Sequence, residues 1–249
     1  MPRYKIMPEI VAEIKQNLEI VRNGIEEAAR KRGIASAQKP LLVAVSKTKS
    51  LAAIKKAYDA GQRDFGENYL RELVLKSNNP DMSQLCPDIK WHYIGAYQKK
   101  QASTLMRVKN LHMIQTLSDI ITANTVNTRW PEEKEPLLVM VQINTSGEES
   151  KSGAKPEDCL SIVKHIIDNC PRLKLSGLMT IGAFGHDYSS GPNPDFVCLK
   201  ECHSKVCKEL NIKEEELGLS MGMSNDYTQA IEAGSTLVRV GSSIFGARE

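Results

Sequence analysis

The chain has 249 residues, 41% of them hydrophobic and 25% charged, which is room for one large buried core and excludes collagen-like, low-complexity and disordered classes. Thirty-three Lys and Arg against 30 Asp and Glu leave a charge of +3, so nothing in the balance attracts a polyanion, no nucleic-acid partner is expected, and function must reside in a site. No run reaches the roughly 20 apolar residues that span a bilayer, and the opening MPRYKIMPEIVAEIKQNLEIV lacks the apolar block of a secretory signal. The expectation is a chain without membrane attachment and a cytoplasmic address, compatible with an additional mitochondrial pool. The six cysteines (Cys86, Cys159, Cys170, Cys198, Cys202 and Cys207) read as reduced thiols in so long a chain. Cys198, Cys202 and Cys207 cluster with His203, but only the first two share a helical face, so small buried hydrophobes are expected and not a metal site.

In chain order, helical spacing of Ile10, Val11, Ile14, Leu18 and Val21 predicts an opening helix over about 8–32, stopping near Gly33. LLVAVSK (41–47) is a Val-rich apolar run of the kind buried on both faces, and 50–60 is a helix capped by Ser50 and ended by Gly61. The same unit then recurs. Strands are predicted at 64–67, 91–95, 111–116, 137–144, 174–180, 217–223 and 237–241, each but the last followed by a helical stretch; the third leads into QKKQASTLMRV (98–108) and the seventh into a helix starting at Asn225. Eight strands alternating with helices imply right-handed crossovers and a parallel sheet. Their length fits one closed (β/α)8 TIM barrel of the α/β class. An open doubly wound sheet would want a Gly-rich loop after the first strand, where Ser46, Lys47, Thr48 and Lys49 stand instead. No composition break divides the chain, so residues 1–249 read as a single domain, with 1–35 as an N-terminal helix packed on the barrel.

In such a barrel the reactive end is where the strands point their C-termini. Lys47 ends a buried strand there. A partly desolvated amine is a Schiff-base nucleophile, whereas the bland alternative is a lysine snorkelling out of a strand end. The loops Gly222-Met223-Ser224-Asn225 and Arg239-Val240-Gly241-Ser242-Ser243 follow the seventh and eighth strands, where phosphate often binds, and read equally as a phosphate cradle or as two ordinary turns. Arg239 beside them either pairs with a rim carboxylate or faces a pyridine nitrogen. An imine-forming lysine, a phosphate cradle and a cationic ring-nitrogen partner together specify pyridoxal phosphate.

AVSKTK (44–49), FGENY (65–69), KWHYIG (90–95), VQINTSGEESKSG (141–153), GLMTIG (177–182), LSMGMSND (219–226) and VRVGSSIFGAR (238–248) resemble the pyridoxal phosphate homeostasis proteins, also called proline synthase co-transcribed homologues. The likeness runs over the whole chain, and the loop GHDYSSGPNPDF (185–196) is similar to the animal members. It departs at QKKQAS (98–103), where a Gln-x-Asn-Lys stretch would stand, and at the end, since animal members carry a longer tail. The resemblance implies the barrel of the alanine racemase N-terminal domain, a monomer, and pyridoxal 5′-phosphate held as an internal aldimine on Lys47. It implies that Arg239 faces the pyridine nitrogen, that Ser224, Gly241 and Ser242 hold the phosphate, and that Asn68, His92, Met179 and Met223 line the pocket. The implied role is buffering or delivering the cofactor, with apo pyridoxal phosphate enzymes as acceptors and no established turnover.

A carrier is also what the residues suggest. An arginine at the ring nitrogen weakens the ring as an electron sink, and racemisation, the alternative activity beside a weak lyase, needs a second base opposite Lys47. The chain ends about eight residues after the last strand, with no room for a domain that would bring that base, and Tyr69, Tyr93 and Tyr97 near the rim read as wall residues first and substitute bases second. Lys49 and Lys151 are expected to give the aldehyde a second, weaker landing point during transfer.

Overall fold

The computed structural model describes residues 8–33, 39–183 and 185–246. Among these, eight parallel strands close into one barrel in simple sequence order: β1 (Leu41–Val45), β2 (Asp64–Glu67), β3 (Lys90–Tyr93), β4 (Leu111–Leu117), β5 (Leu137–Gln142), β6 (Leu173–Met179), β7 (Gly218–Ser220) and β8 (Leu237–Val240). The barrel closes where β8 pairs with β1, Leu41 opposite Leu237 and Val43 opposite Arg239. Alternation along the strands sends Val43, Met113, Met140, Met179 and Leu237 to an inner apolar cluster, while Phe65, Trp91, Ile114, Val139 and Val141 face the helices in the larger outer core. The expected fold is thus the observed one.

The helices are α1 (Pro8–Lys31), α2 (Leu51–Asp59), α3 (Leu70–Ser77), α4 (Pro80–Leu85), α5 (Ala102–Leu105), α6 (Ile120–Arg129), α7 (Cys159–Asn169), α8 (Pro194–Leu210), α9 (Tyr227–Ala233) and α10 (Ser242–Phe245). Helix α1 buries Ile14, Leu18, Val21 and Ile25 against α2, α9 and α10. It therefore ties the first unit to the last across the β1–β8 seam. Asn17 Nδ2 donates to Ile244 O at 3.2 Å and Arg22 Nη1 to Ala60 O at 2.7 Å. Ser50 caps α2 as expected, its hydroxyl accepting Ala53 N–H, and Gly61 follows with φ +84°.

Three local readings change. The helix expected over 98–108 is a 3-10 turn at Lys99–Gln101 and the short α5, and a further helix, α4, follows α3, its Asn79 cap and Pro80 start marking six residues too few to show periodicity. The seventh strand spans only Gly218–Ser220, and α9 begins at Tyr227, not at Asn225. Strand β4 carries an irregularity: Trp91 pairs with Leu111 and His92 with Met113, so His112 is an extra residue, a β-bulge. No helix of the described residues is long and apolar enough to cross a membrane.

Candidate functional site

At the C-terminal end of the strands a cavity of about 390 Å3 is lined by residues of β1, β6 and β8 and of the segments that follow β1, β2, β3, β6, β7 and β8. Lys47 reaches it from the turn after β1, where Ser46 N–H donates to Gly66 O and Thr48 adopts φ +64°. A β-branched residue in that left-handed region is strained, so something must hold it. The holder is α3 with the end of β2. Thr48 N–H donates to Glu72 Oε1 at 2.7 Å, Ser46 Oγ donates to Glu67 Oε1 at 2.6 Å, and Lys76 Nζ bridges Ser46 O (2.8 Å), Glu67 Oε1 (2.7 Å) and Glu72 Oε1 (2.6 Å). Glu67 and Lys76 are both buried, and burial pushes the Glu67 carboxyl up despite its lysine partner. The lysine turn is thus clamped by a charged network on the outer side of the wall.

Arg239 enters the same cavity from the inner face of β8. It is buried, donates through Nη1 to Ser220 Oγ at 2.5 Å and through Nη2 to Thr180 O at 2.7 Å, and burial brings its pKa down to about 10. Below it a hydrogen-bonded line continues down the barrel axis. Ser220 Oγ donates to Gln115 Oε1 (2.8 Å), Gln115 Nε2 meets His92 Nδ1 (3.1 Å), and His92 Nε2 meets Asp64 Oδ1 (2.9 Å). Because a guanidinium can only donate, the Ser220 proton goes to Gln115, whose amide donates in turn to His92 Nδ1 and leaves the imidazole proton on Nε2, facing Asp64.

The two loops of the expected anion cradle meet at Ser224, whose Oγ accepts from Gly241 N–H (3.2 Å) and Ser243 N–H (3.4 Å). Gly222 has φ +94°, and a Cβ there would stand 2.5 Å from Ala230 Cβ, so only glycine lets this loop fold onto α9. Asp226 Oδ1 caps the loop by accepting Met223 N–H at 2.6 Å, and burial pushes its carboxyl up. On the opposite side Gly95 passes so close to Asn68 that a Cβ would lie 1.9 Å from Asn68 O, which fixes Asn68 at the rim with its Oδ1 buried and lacking a hydrogen-bond partner among the described residues.

Lys47, Asn68, Met179, Met223, Ser224, Arg239, Gly241 and Ser242 all line this one cavity. His92 does not. It lies one layer deeper, fully buried in the axial line, and Ile94, two residues further along the same face, takes the lining position. Lys49 lines the cavity, whereas Lys151 is held beside it, donating to Gly182 O at 2.8 Å and pairing with Glu148. Tyr93 and Tyr97 pack edge to face with centroids 6.4 Å apart, burial raises both phenols to about 12, and neither they nor Tyr69 reach the cavity. His186 and Tyr188, stacked edge to face at 4.8 Å in the loop after β6, do reach it; sequence reading missed them because that loop has no periodicity, although its aromatic and His content was a signal.

Residues 12–249 match the family model of the alanine racemase N-terminal domain. The human pyridoxal phosphate homeostasis protein is 51% identical over 235 residues, covering 93% of this chain and 86% of its own. The chain belongs to the pyridoxal phosphate homeostasis protein family. Among solved structures, PipY of Synechococcus elongatus PCC7942, described with pyridoxal phosphate bound, superposes on this family member with a TM-score of 0.76 at 26% identity, over 94% of this chain and all of its own. The alanine racemase of Corynebacterium glutamicum shares the fold at 14% identity, with a TM-score of 0.64 over 96% of this chain and 62% of its own.

Proposed function

We propose that this protein binds pyridoxal 5′-phosphate at the barrel mouth, holds it on Lys47, and buffers or delivers it without turning over a substrate. One observation carries the reading: a lysine from the turn after β1 and a buried arginine from β8, two paired strands, enter a single cavity that a serine-and-glycine cradle also lines. The residues fit the cofactor. Asn68 Oδ1 is a buried acceptor awaiting a donor, the Ser224 hydroxyl and the Ser242 N–H would offer donors to a phosphate, joined by the Gly241 N–H once it leaves Ser224 Oγ, and Met179, Met223 and Ile94 supply apolar walls for a ring. When bound, pyridoxal phosphate supplies an aldehyde that condenses with an amine and a ring that draws electrons from the attached carbon. Arg239, still charged at neutral pH, has only donors to offer and keeps a facing pyridine nitrogen as an acceptor, which holds the ring but weakens that electron draw.

Among the described residues the phenol that lines the cavity is not poised as a second base, which supports holding over racemisation. Tyr188 is the cavity's own phenol, and burial raises its pKa, so at neutral pH it keeps its proton and is a donor. Lys49 and Lys151, at and beside the mouth, are further primary amines that would give the aldehyde a second landing point on its way out.

Borohydride fixation followed by peptide mapping tests the reading. The purified protein is expected to show the visible absorbance of a lysine-bound pyridoxal chromophore, the label is expected at Lys47, and Lys47→Ala is expected to lose both. During transfer to an apoenzyme a minor label is expected at Lys49 or Lys151. A wild-type protein that stays colourless and unlabelled with added pyridoxal phosphate overturns the assignment, and chiral chromatography showing amino-acid racemisation above blank overturns the non-catalytic part.

A further inference from the structure

The floor of the barrel holds a second constellation, far from the mouth along the axial line. Among the described residues one group of three can converge on a metal ion: Asp64, His92 and His112, with ligand atoms all within 4.8 Å of one another. They come from the starts of β2 and β4 and the middle of β3. Ordinary period-two alternation would turn His112 outward with Ile114; the bulge between Leu111 and Met113 turns it inward instead, edge to face with His92 at a centroid distance of 5.3 Å. Bulges re-aim single side chains, and this one aims an imidazole at a buried carboxylate and a second imidazole. His112 also borders a hollow of about 550 Å3 at the outer end of β4–β6, walled by Leu111, Trp130, Leu137 and Lys174, which gives the group an entry from solvent.

We propose that Asp64, His92 and His112 form a binding site for a divalent transition metal, Zn2+ in the first instance, with its fourth position open to a water in the hollow. Two imidazoles and one carboxylate are a borderline donor set that suits Zn2+ and its first-row neighbours over Mg2+ or Ca2+. Ligand atoms around one tetrahedral Zn2+ lie roughly 3.3 Å apart, given bonds of about 2.0 Å. Asp64 Oδ1 and His92 Nε2 already stand at 2.9 Å, so only His112 has to swing in, and being half-buried at a strand start it has the room. Metal entry displaces the His92 Nε2 proton to Nδ1, and Gln115 behind it turns its amide so that its carbonyl accepts that proton; this is the outer partner a ligating histidine requires.

The test is equilibrium dialysis of the chelator-treated full-length protein against Zn2+, with Co2+ substitution as a spectroscopic probe. Expected are one saturable Zn2+ per chain, the intense ligand-field bands of a four- or five-coordinate Co2+ bleached by Zn2+, and an affinity lowered roughly a hundredfold or more in His112→Phe, which fills the same space without a ligand atom. Asp64→Asn is the second variant, and thermal melting without metal checks that both fold. Should neither variant fold, X-ray absorption on the wild-type complex decides, two imidazole ligands being the expected shell. No saturable binding, binding that both folded variants retain, or a shell with fewer than two imidazoles overturns the site.

Discussion

Two polar networks support the cavity, and they differ in kind. Beneath Lys47 the support is ionic and local: Glu67, Glu72 and Lys76 lie within ten residues of one another on β2 and α3 and grip the neighbouring turn. Beneath Arg239 the support is neutral through Ser220 and Gln115 and spans the fold, with one hydrogen bond joining positions 105 residues apart. A local ionic clamp fixes one turn whatever the rest of the barrel does. The axial line holds Arg239 only if several strands are in register together. Lys47 and Arg239 are thus secured by independent means, which under the proposed function would let the site open at one without losing the other.

The sharpest break is Lys76→Met. It strands the buried Glu67 carboxylate, and a loss of about 3–5 kcal/mol is expected in urea unfolding, with Lys47 labelling slowed because the Thr48 turn relaxes. Restored stability in Lys76→Met with Glu67→Gln attributes the loss to the stranded charge; an unchanged midpoint in Lys76→Met contradicts the clamp. Next is Gln115→Leu, which leaves the Ser220 hydroxyl and His92 Nδ1 unpaired at about 1–3 kcal/mol each. Here the chromophore's absorbance is expected to shift while Lys47 fixation proceeds at the wild-type rate, and equal damage to fixation in both variants would erase the distinction between the two supports.

The smallest effect concerns Asp226, which belongs to neither network. Burial raises its folded pKa above the ordinary 3.8, so the folded state carries a charge cost at neutral pH that vanishes as the group takes up its proton on acidification. Asp226→Asn keeps an acceptor for Met223 N–H and does not titrate. Its melting temperature is expected to exceed the wild type's slightly near about pH 7, and the gap to close toward about pH 4. A gap that widens on acidification reverses the sign and refutes the account.

Much of this was legible in the chain itself. The eight strands show because each is a short apolar run between helical stretches, and Lys47 and Arg239 show because strand ends in a barrel have only one place to converge. Depth was not legible: His92 and Ile94 share an inner face, and which of them meets the cavity depends on where the barrel floor lies. Nor was the inward turn of His112, since a bulge is decided between strands and leaves no period of its own. The clamp also escaped, because the i, i+4 spacing of Glu72 and Lys76 does not show that the turn after β1 lies against them.

The hold on the Thr48 turn has a further meaning. The wall that presents Lys47 and the grip that steadies it are written in separate stretches, 41–45 and 67–76. The turn that carries Lys47 can therefore be loosened or tightened from positions 72 and 76, which do not line the cavity.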